Sequence, residues 1–401
     1  MENKNLIKTE NQQIITIAKE RLSGNLSLPF LFKEYAFLPG FCDVHVHFRE
    51  PGFSYKETVK TGCESAVAGG YTCVCTMPNL NPVPDGEENL SLQLSAIKKQ
   101  NLLSVVPYGS ITVGLKGEEL SDMEKLSPSV VAFTDDGRGV QRGELMKRAM
   151  EKAKTLNKII VAHCEDNSLL NGGYIHDGEY ARAHGHKGIS SQSEYAQVAR
   201  DLELVAKTGC KYHVCHVSTK ESVEILRQAK KSGLDVSCET APHYLVLTDA
   251  DLKEDGNYKM NPPLRSESDK NALIEGLLDG TIEMIATDHA PHSVEEKSRG
   301  LEKSLFGIVG LETAFPVLYT HLVKTGTLSL EQLSKLMSEN PRKRFNLNKN
   351  AGITVFNLDK RYKIDPNDFY SMGRNTPFKD NRVFGECVLT MYEEKIVYKK
   401  R

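Results

Sequence analysis

The middle of the chain alternates short apolar runs with longer amphipathic stretches. The apolar runs are nearly continuous, which is typical of parallel strands that are covered on both faces. The amphipathic stretches at 144–156 and 222–233 have the periodicity of surface helices. Eight strand–helix units over about 300 residues favour a (β/α)8 TIM barrel, an α/β fold, over an open doubly wound sheet. The predicted strands are 42–48, 71–77, 102–110, 129–136, 158–165, 211–218, 234–241 and 282–290.

The two flanks of this predicted barrel carry further strand-like runs. We expect the barrel to occupy 38–340, and we expect the flanks, 1–37 and 341–401, to meet as one small composite β domain, because neither flank alone could bury a core. The runs, of which the last has the pattern of a hairpin, are 12–18, 351–358 and 383–400.

Composition excludes several classes of function. Lys and Arg total 51 and Asp and Glu total 53, a formal net charge of -2, so no basic surplus indicates nucleic acid or an anionic membrane as a partner. No apolar run approaches the ~20 residues that span a bilayer. The nine cysteines are odd in number and scattered through apolar runs, which indicates reduced thiols. We therefore expect a cytoplasmic globular protein with a small-molecule substrate.

Polar side chains cluster where the predicted strands end. Barrels of this kind build their active sites at the carboxyl ends of several strands, so polar residues at corresponding places predict one common site. These residues are His45, His47, Asn79, Asp136, His163, His216 and Asp288.

The strand at 42–48 carries the first signal of a metal. His45 and His47 are two residues apart, and alternate side chains of a strand share a face, so both imidazoles point to the same side of the strand. Two neutral imidazoles pack poorly inside an apolar barrel unless a divalent metal bridges them. The HxH spacing alone leaves open a half-exposed strand with two incidental histidines.

Further strand ends enlarge this donor set. With His163, His216 and Asp288, the set has too many ligands for one closed zinc site and suits two metals with open positions. Asp135 or Asp136 could supply an anionic bridge, and strand parity places only one of them inward without telling which. Two such ions that share a water lower its pKa to ~7, and a nearby carboxylate can carry its proton to a leaving nitrogen. The set therefore predicts hydrolysis of an amide-like or ester-like bond.

Motifs around these residues follow a known family in order. The stretch 39–52, PGFCDVHVHFREPG, resembles the opening signature of class I dihydroorotases, which belong to the amidohydrolase superfamily. The stretch before it is shorter than is usual in that family. The likeness covers the whole predicted barrel and continues at 76–79, 133–137, 162–167, 215–220, 260–265, 286–292 and 306–313.

The resemblance implies a zinc centre with two ions per subunit. It implies Asp288 as the general base and acid, and it selects Asp136 rather than Asp135 as the bridge between the ions. The implied zinc ligands are His45, His47 and Asp288 for one ion and His163 and His216 for the other. The resemblance also implies three groups of substrate-binding residues. Arg49, Asn79 and His292 would bind the substrate carboxylate, Asn261, Phe306 and Gly307 would contact the substrate ring, and His47 would also contact the substrate.

The reaction that the resemblance implies is the reversible cyclisation of N-carbamoyl-L-aspartate to L-dihydroorotate and water in de novo pyrimidine biosynthesis, through a hydroxide that bridges the metals. It also implies a homodimer, and an association with aspartate transcarbamoylase stays open.

Two alternatives remain at this stage. An allantoinase or hydantoinase shares the barrel and the metals, but its substrates lack the carboxylate that Arg49 and Asn79 would bind. Related hydantoinases and some dihydroorotases bridge their metals with a carboxylated lysine at the end of the fourth strand. The stretch 129–137, SVVAFTDDG, has no lysine there, which favours the aspartate bridge. A non-catalytic partner of aspartate transcarbamoylase would have lost metal ligands, whereas every ligand position is filled here.

Overall fold

The computed structural model describes residues 2–23, 29–349 and 351–400. Within these ranges the strands, numbered in chain order, are β1 (Phe30–Phe32), β2 (Tyr35–Pro39), β3 (Phe41–Val46), β4 (Tyr71–Thr76), β5 (Ser104–Pro107), β6 (Phe133–Thr134), β7 (Ile159–Ala162), β8 (Ile175–His176), β9 (Gly188–Ile189), β10 (Lys211–Val214), β11 (Val236–Thr240), β12 (Met284–Ile285), β13 (Ile353–Lys363), β14 (Arg382–Tyr392) and β15 (Lys395–Lys399).

The helices of the same ranges lie mostly between the strands. None of them is long and apolar enough to cross a membrane. They are α1 (Glu2–Ser23), α2 (Val59–Ala68), α3 (Glu87–Lys98), α4 (Met123–Leu126), α5 (Gly143–Thr155), α6 (Glu179–His184), α7 (Gln192–Thr208), α8 (Lys220–Lys231), α9 (Pro242–Val246), α10 (Glu267–Leu278), α11 (Val294–Lys297), α12 (Gly300–Lys303), α13 (Ala314–Leu318), α14 (Leu330–Ser334) and α15 (Asn340–Arg344).

Eight of the strands form a closed parallel barrel. They make a three-stranded sheet, β3-β4-β5, and a five-stranded sheet, β6-β7-β10-β11-β12. Isolated parallel bridges, Gly109 with Phe133 and Val46 with His289, join the two sheets at both edges. Each predicted barrel strand is present, so the predicted fold class is confirmed.

Burial on both faces explains why these apolar runs form strands. The outer faces pack against helices such as α8, which buries Val223, Leu226 and Ala229 at a spacing of three residues. Below the mouth of the barrel, its interior is filled by apolar side chains, from alanine to tyrosine, and by thiols. We call this set the interior layer: Cys42, Val44, Cys73, Cys75, Met77, Tyr108, Ala132, Ile159, Val161, Cys215, Met284, Ala286 and Phe345.

The two flanks contribute to a second, antiparallel sheet in the order β1-β2-β13-β14-β15. The pairing of β2 with β13 joins the flanks, with Pro39 opposite Ile353 and Tyr35 opposite Asn357. This flank sheet agrees with the expected small β domain, whereas the boundaries at 38 and 340 stay a prediction.

The strand predicted at 12–18 is wrong, because these residues belong to α1. Ile14 and Ala18 are one helical turn apart, and both are buried in a cluster with Tyr35 and Val355 of the flank sheet. A run of β-branched residues therefore packs on the sheet through one helical face instead of pairing at its edge.

Candidate active site

The end of β3 presents the first imidazole to the mouth of the barrel. A register shift between Asp43 and Val46 interrupts the pairing of β3 with β4. The Asp43 carboxylate accepts the backbone N–H groups of His45 at 3.0 Å and Thr287 at 3.1 Å, which fastens this end of β3 to the segment after β12. His45 Nδ1 donates to Glu239 Oε1 at 2.7 Å, so its Nε2 is left for the cluster.

The second imidazole of the HxH pair lies on the open side of the cluster. His47 Nδ1 donates to Asn79 Oδ1 at 2.9 Å, and its Nε2 lies 3.0 Å from Asp288 Oδ1 and 3.5 Å from Asp136 Oδ2. His45 Nε2 lies 3.3 Å from Asp136 Oδ1 and 3.4 Å from Asp288 Oδ1. Two histidines and two aspartates from three strand ends therefore converge on one small volume.

Two further histidines complete the cluster. His163 Nδ1 lies 2.9 Å from His216 Nε2, and both atoms lie 3.9 Å from Asp136 Oδ1. The ring centroids of His45 and His216 are 5.1 Å apart. Asp136 therefore lies between the HxH pair and the histidines that follow β7 and β10.

Backbone conformation helps to aim two of these side chains. His216 has a φ of 34° and Asp288 a φ of 50°, in the left-handed region that costs a non-glycine residue about 1–3 kcal/mol. Alternation along a regular strand predicts that Cys215 turns away from its neighbour His216, and this stays a prediction. Cys215 Sγ lies within 4.8 Å of donor atoms of His45 and Glu239, which belong to other strands.

The two adjacent aspartates after β6 have different environments. Asp135 Oδ1 accepts the N–H groups of Ile111 at 2.8 Å and Thr112 at 3.0 Å, and its other oxygen accepts the Thr112 hydroxyl. Asp136 faces the histidines. Asp135 therefore anchors the loop after β5, and Asp136 is the carboxylate that the cluster shares.

The cluster has the donor set and the unpartnered atoms that a divalent cation requires. Donor atoms of His45, His47 and Asp288 lie within 4.8 Å of one another, and so do those of His45, Asp136 and His216. Among the described residues, the buried His45 Nε2 and Asp136 Oδ1 have no hydrogen-bond partner, although unpaired buried polar atoms are costly. Imidazoles and carboxylates suit zinc, manganese or cobalt, so these residues fit a metal centre.

Charges within the cluster oppose the effect of burial. Burial raises the pKa values of Asp136 and Asp288, but the neighbouring imidazoles, His45 foremost, hold both well below the ordinary value. Burial lowers the pKa of His45, while Asp136 and Asp288 raise it well above its usual range. Burial and the nearby His163 lower the pKa of His216 to about 3. Both carboxylates are therefore ionised at neutral pH.

A cavity of about 270 Å³ opens above the cluster. His45 is fully buried beneath it. All the other predicted site residues line this cavity, namely His47, Arg49, Asn79, Asp136, His163, His216, Asn261, Asp288, His292, Phe306 and Gly307.

One end of the cavity carries donors suited to a carboxylate. Arg49 Nε donates to Pro291 O at 3.3 Å, and its Nη2 lies 3.5 Å from His292 Nε2. His292 Nδ1 lies 3.0 Å from Glu296 Oε2, and Lys56 forms an ion pair with Glu296 at 2.9 Å. Burial lowers the pKa of Arg49 to about 10, so the guanidinium stays protonated at neutral pH.

Asn261, Phe306 and Gly307 also line the cavity, and Phe306 O lies 2.8 Å from His292 Nε2, so this part of the wall adjoins the donors suited to a carboxylate. Asn261 Nδ2 donates to Glu165 Oε1 at 2.9 Å, and its Oδ1 has no partner in the described part of the chain. Gly307 has a φ of 131°, and a Cβ there would lie 2.7 Å from the Cβ of Ala290. Only glycine fits this position.

Several residues that support the site were missed at the sequence level. Glu239 accepts a hydrogen bond from His45. The sequence could have indicated this role, because Glu239 is a lone carboxylate in a buried strand. Glu165 holds Asn261. Lys297 is 5% exposed, and its Nζ donates to Lys259 O at 3.0 Å, Leu305 O at 2.8 Å and Gly307 O at 2.8 Å. Nothing in the local sequence predicts these three carbonyl partners.

The solved structures that resemble this chain are amidohydrolases. An L-hydantoinase (dihydropyrimidinase) from Arthrobacter aurescens matches with a TM-score of 0.80 and 26% identity over 91% of this chain and 85% of that one. A dihydropyrimidinase from Brevibacillus agri matches with a TM-score of 0.78 and 21% identity over 91% and 85% of the two chains, which supports the fold.

The sequence relatives identify the family more narrowly than the solved structures do. A model of the "Dihydro-orotase-like" family matches residues 35–222. The dihydroorotase of Fusobacterium nucleatum is 56% identical over 367 residues, which cover 90% of this chain and 86% of that protein. The dihydroorotase of Bacillus licheniformis is 51% identical over 371 residues, or 90% and 87% of the two chains. With its barrel and its histidine–aspartate cluster, this chain belongs to the dihydroorotase family of the amidohydrolase superfamily.

Proposed function

We propose that this protein is a dihydroorotase, which interconverts N-carbamoyl-L-aspartate and L-dihydroorotate plus water in de novo pyrimidine biosynthesis. One observation carries the proposal: a single cavity joins a cluster of imidazoles and carboxylates to a set of donors for a carboxylate. Cyclic amide chemistry needs the first group, and a substrate that bears a carboxylate beside its ring needs the second.

The donor end of the cavity binds the substrate carboxylate. Arg49 can form two parallel hydrogen bonds to it. Because His47 Nδ1 donates to the amide oxygen of Asn79, the amide nitrogen of Asn79 is left to donate to the substrate. His292 completes this end if its Nε2 exchanges its present partner, Phe306 O at 2.8 Å, for the carboxylate. Elsewhere on the cavity wall, Asn261 Oδ1 accepts a ring N–H, because Glu165 already takes the amide nitrogen.

Asp288 moves the proton of the reaction. In the hydrolytic direction, its carboxylate takes a proton from the water that attacks the ring carbonyl and delivers it to the ring nitrogen that leaves. The reverse sequence closes the ring and releases water. The carboxylate is ionised and lies at the floor of the cavity, 3.0 Å from His47 Nε2, so it is ready to accept that proton.

We propose two zinc ions per subunit for the cluster. His45, His47 and Asp288 would hold one ion, His163 and His216 would hold the other, and Asp136 would bind both. Divalent ions bound there supply Lewis-acid chemistry, which polarises the scissile carbonyl and activates water.

A direct assay tests this function. Purified protein should hydrolyse dihydroorotate, and form it from N-carbamoyl-L-aspartate, much faster than it hydrolyses hydantoin, dihydrouracil or allantoin, which lack the carboxylate. Metal analysis of protein prepared without added metal should find zinc, and a chelator should remove both zinc and turnover. Equal turnover of dihydrouracil would support a hydantoinase instead, and no turnover of any of these compounds by zinc-loaded protein would contradict the proposal.

The family resemblance also supports a homodimer in the cytoplasm. Size-exclusion chromatography with light scattering tests the dimer. Co-elution with aspartate transcarbamoylase tests whether the two enzymes associate.

A further inference from the structure

The connection between β13 and β14 comes from the C-terminal flank, yet it contacts the loops around the cavity. Val309 N donates to the backbone oxygen of Asn375 at 2.8 Å, and Met372 N donates to Glu57 Oε1 at 3.2 Å. The loops after β3 and β12 are therefore held by a segment that lies far from them in the sequence.

The side chain of Asn375 makes three of these links. Its Nδ2 donates to Ala290 O and to Gly307 O, both at 3.0 Å, and its Oδ1 accepts the backbone N–H of His292 at 3.2 Å. The residue is 2% exposed. Both amide hydrogens and the amide oxygen thus have protein partners, all on the segments that form one wall of the cavity.

This arrangement admits one orientation of the amide. A flipped amide would place its oxygen against two carbonyl oxygens and its nitrogen against a backbone N–H. Gly307 O also accepts Lys297 Nζ at 2.8 Å, so both of its lone pairs are engaged. The carbonyl of Gly307 is therefore held from two sides. Asn375 adds a side-chain link between this carbonyl and the backbone N–H of His292, beside the direct hydrogen bond from Ala290 N to Ile308 O at 2.7 Å.

We propose that Asn375 is a positioning residue for substrate binding, which acts through the backbone of Ala290, His292 and Gly307. This rests on the proposed dihydroorotase function, because His292 and Gly307 are the residues that bind the substrate carboxylate and ring. Asn375 touches none of the metal-binding side chains directly, so its effect falls on substrate binding more than on the chemical step.

Two variants and a matched control test this role. Asn375→Ala removes all three hydrogen bonds, and Asn375→Asp keeps the shape but turns an oxygen toward two carbonyl oxygens. We expect the KM for dihydroorotate to rise about tenfold in Asn375→Ala and further in Asn375→Asp, with kcat within about threefold and zinc content unchanged. Asn367→Ala, on an exposed position of the same connection, should match the wild type.

A double-mutant cycle and amide hydrogen exchange separate positioning from general stability. In the His292→Ala background, Asn375→Ala should raise KM by clearly less than it does in the wild type. The reason is that one of the side chains that Asn375 positions, that of His292, is already absent. Without substrate, Asn375→Ala should accelerate exchange in 289–309 and leave the barrel strands protected.

The outcomes are distinct. An unchanged KM in folded Asn375→Ala, a fully additive cycle, or unchanged exchange in 289–309 would overturn the positioning role. If the wild type and Asn367→Ala do not turn over dihydroorotate, the proposed function itself fails, whereas the exchange experiment still reports on Asn375.

Discussion

The mouth of the barrel and the interior layer lie on the same strands but differ in chemistry. Met284 on β12 and Ala286 just after it belong to the interior layer, and Asp288 follows two residues later. Val161 on β7 likewise belongs to the layer and precedes His163 by two residues. Along both segments the side chains change from apolar to ionisable within two residues.

This difference separates stability from chemistry. The interior layer is close-packed and apolar, so changes there should lower the free energy of unfolding. Within the described part of the chain, His45 Nε2 and Asp136 Oδ1 at the mouth are buried without a hydrogen-bond partner, which costs stability that a bound cation would restore. Substitutions in the interior layer should therefore change the free energy of unfolding, and substitutions at the mouth should change the kinetic constants.

The largest expected effect is at Asp288. Asp288→Ala removes the residue proposed both as a metal ligand and as the proton carrier, so dihydroorotate turnover should fall by at least ~10²–10⁴-fold, the contribution of a positioned acid–base group. Circular dichroism should remain that of the wild type. Activity near the wild-type level would contradict the proposed role of Asp288 and the division between a catalytic mouth and a structural interior layer.

Met284→Ala tests the interior layer. Met284 is 1% exposed, and its truncation should lower the free energy of unfolding by ~2–5 kcal/mol, measured by denaturant titration. The KM of the folded variant should stay within about twofold of the wild type, because the cavity is not altered. A large rise in KM with unchanged stability would mean that the interior layer contributes to substrate binding and that its role cannot be separated from that of the mouth.

Arg49→Lys tests the carboxylate end of the mouth. Lysine keeps the charge but loses the planar pair of donors, so affinity for dihydroorotate should fall by ~1–3 kcal/mol. KM and direct titration calorimetry measure it. Arg299→Lys, on the exposed surface nearby, serves as the control. An unchanged KM would mean that Arg49 does not bind the carboxylate.

Lys297→Met gives the smallest expected effect. The variant keeps the length of the side chain but leaves three carbonyl oxygens without their shared donor, so KM should rise by up to about tenfold, with kcat less affected. Lys303→Met, on the exposed part of the same segment, should behave as the wild type. Equal KM values for the two variants would show that Lys297 does not help to hold Phe306 and Gly307.

Much of the fold and of the cluster could be predicted because both depend on local patterns. Continuous apolar runs predicted the eight barrel strands, and polar residues at their ends predicted the residues that converge. The choice of Asp136 over Asp135 needed the family pattern, because a two-residue strand at Phe133–Thr134 is too short for parity to be decisive.

The rest depends on contacts between distant segments. The run at 12–18 has the composition of a strand, but the flank sheet offers Ile14 and Ala18 a surface to pack on, which favours a helix. Lys297 and Asn375 bind backbone carbonyls, which every residue possesses, so no residue pattern identifies their partners. Glu239 was the exception, since a carboxylate in a buried strand requires a specific partner.

The left-handed backbone at His216 and Asp288 has a consequence for metal uptake. The folded chain itself bears the conformational cost of directing these two proposed ligands, so a cation that binds there would meet donors that need little rearrangement. Loading of the apoprotein should then be governed by loss of the ion's hydration shell and not by refolding of the strand ends. Stopped-flow uptake should accordingly follow the known water-exchange order of divalent ions.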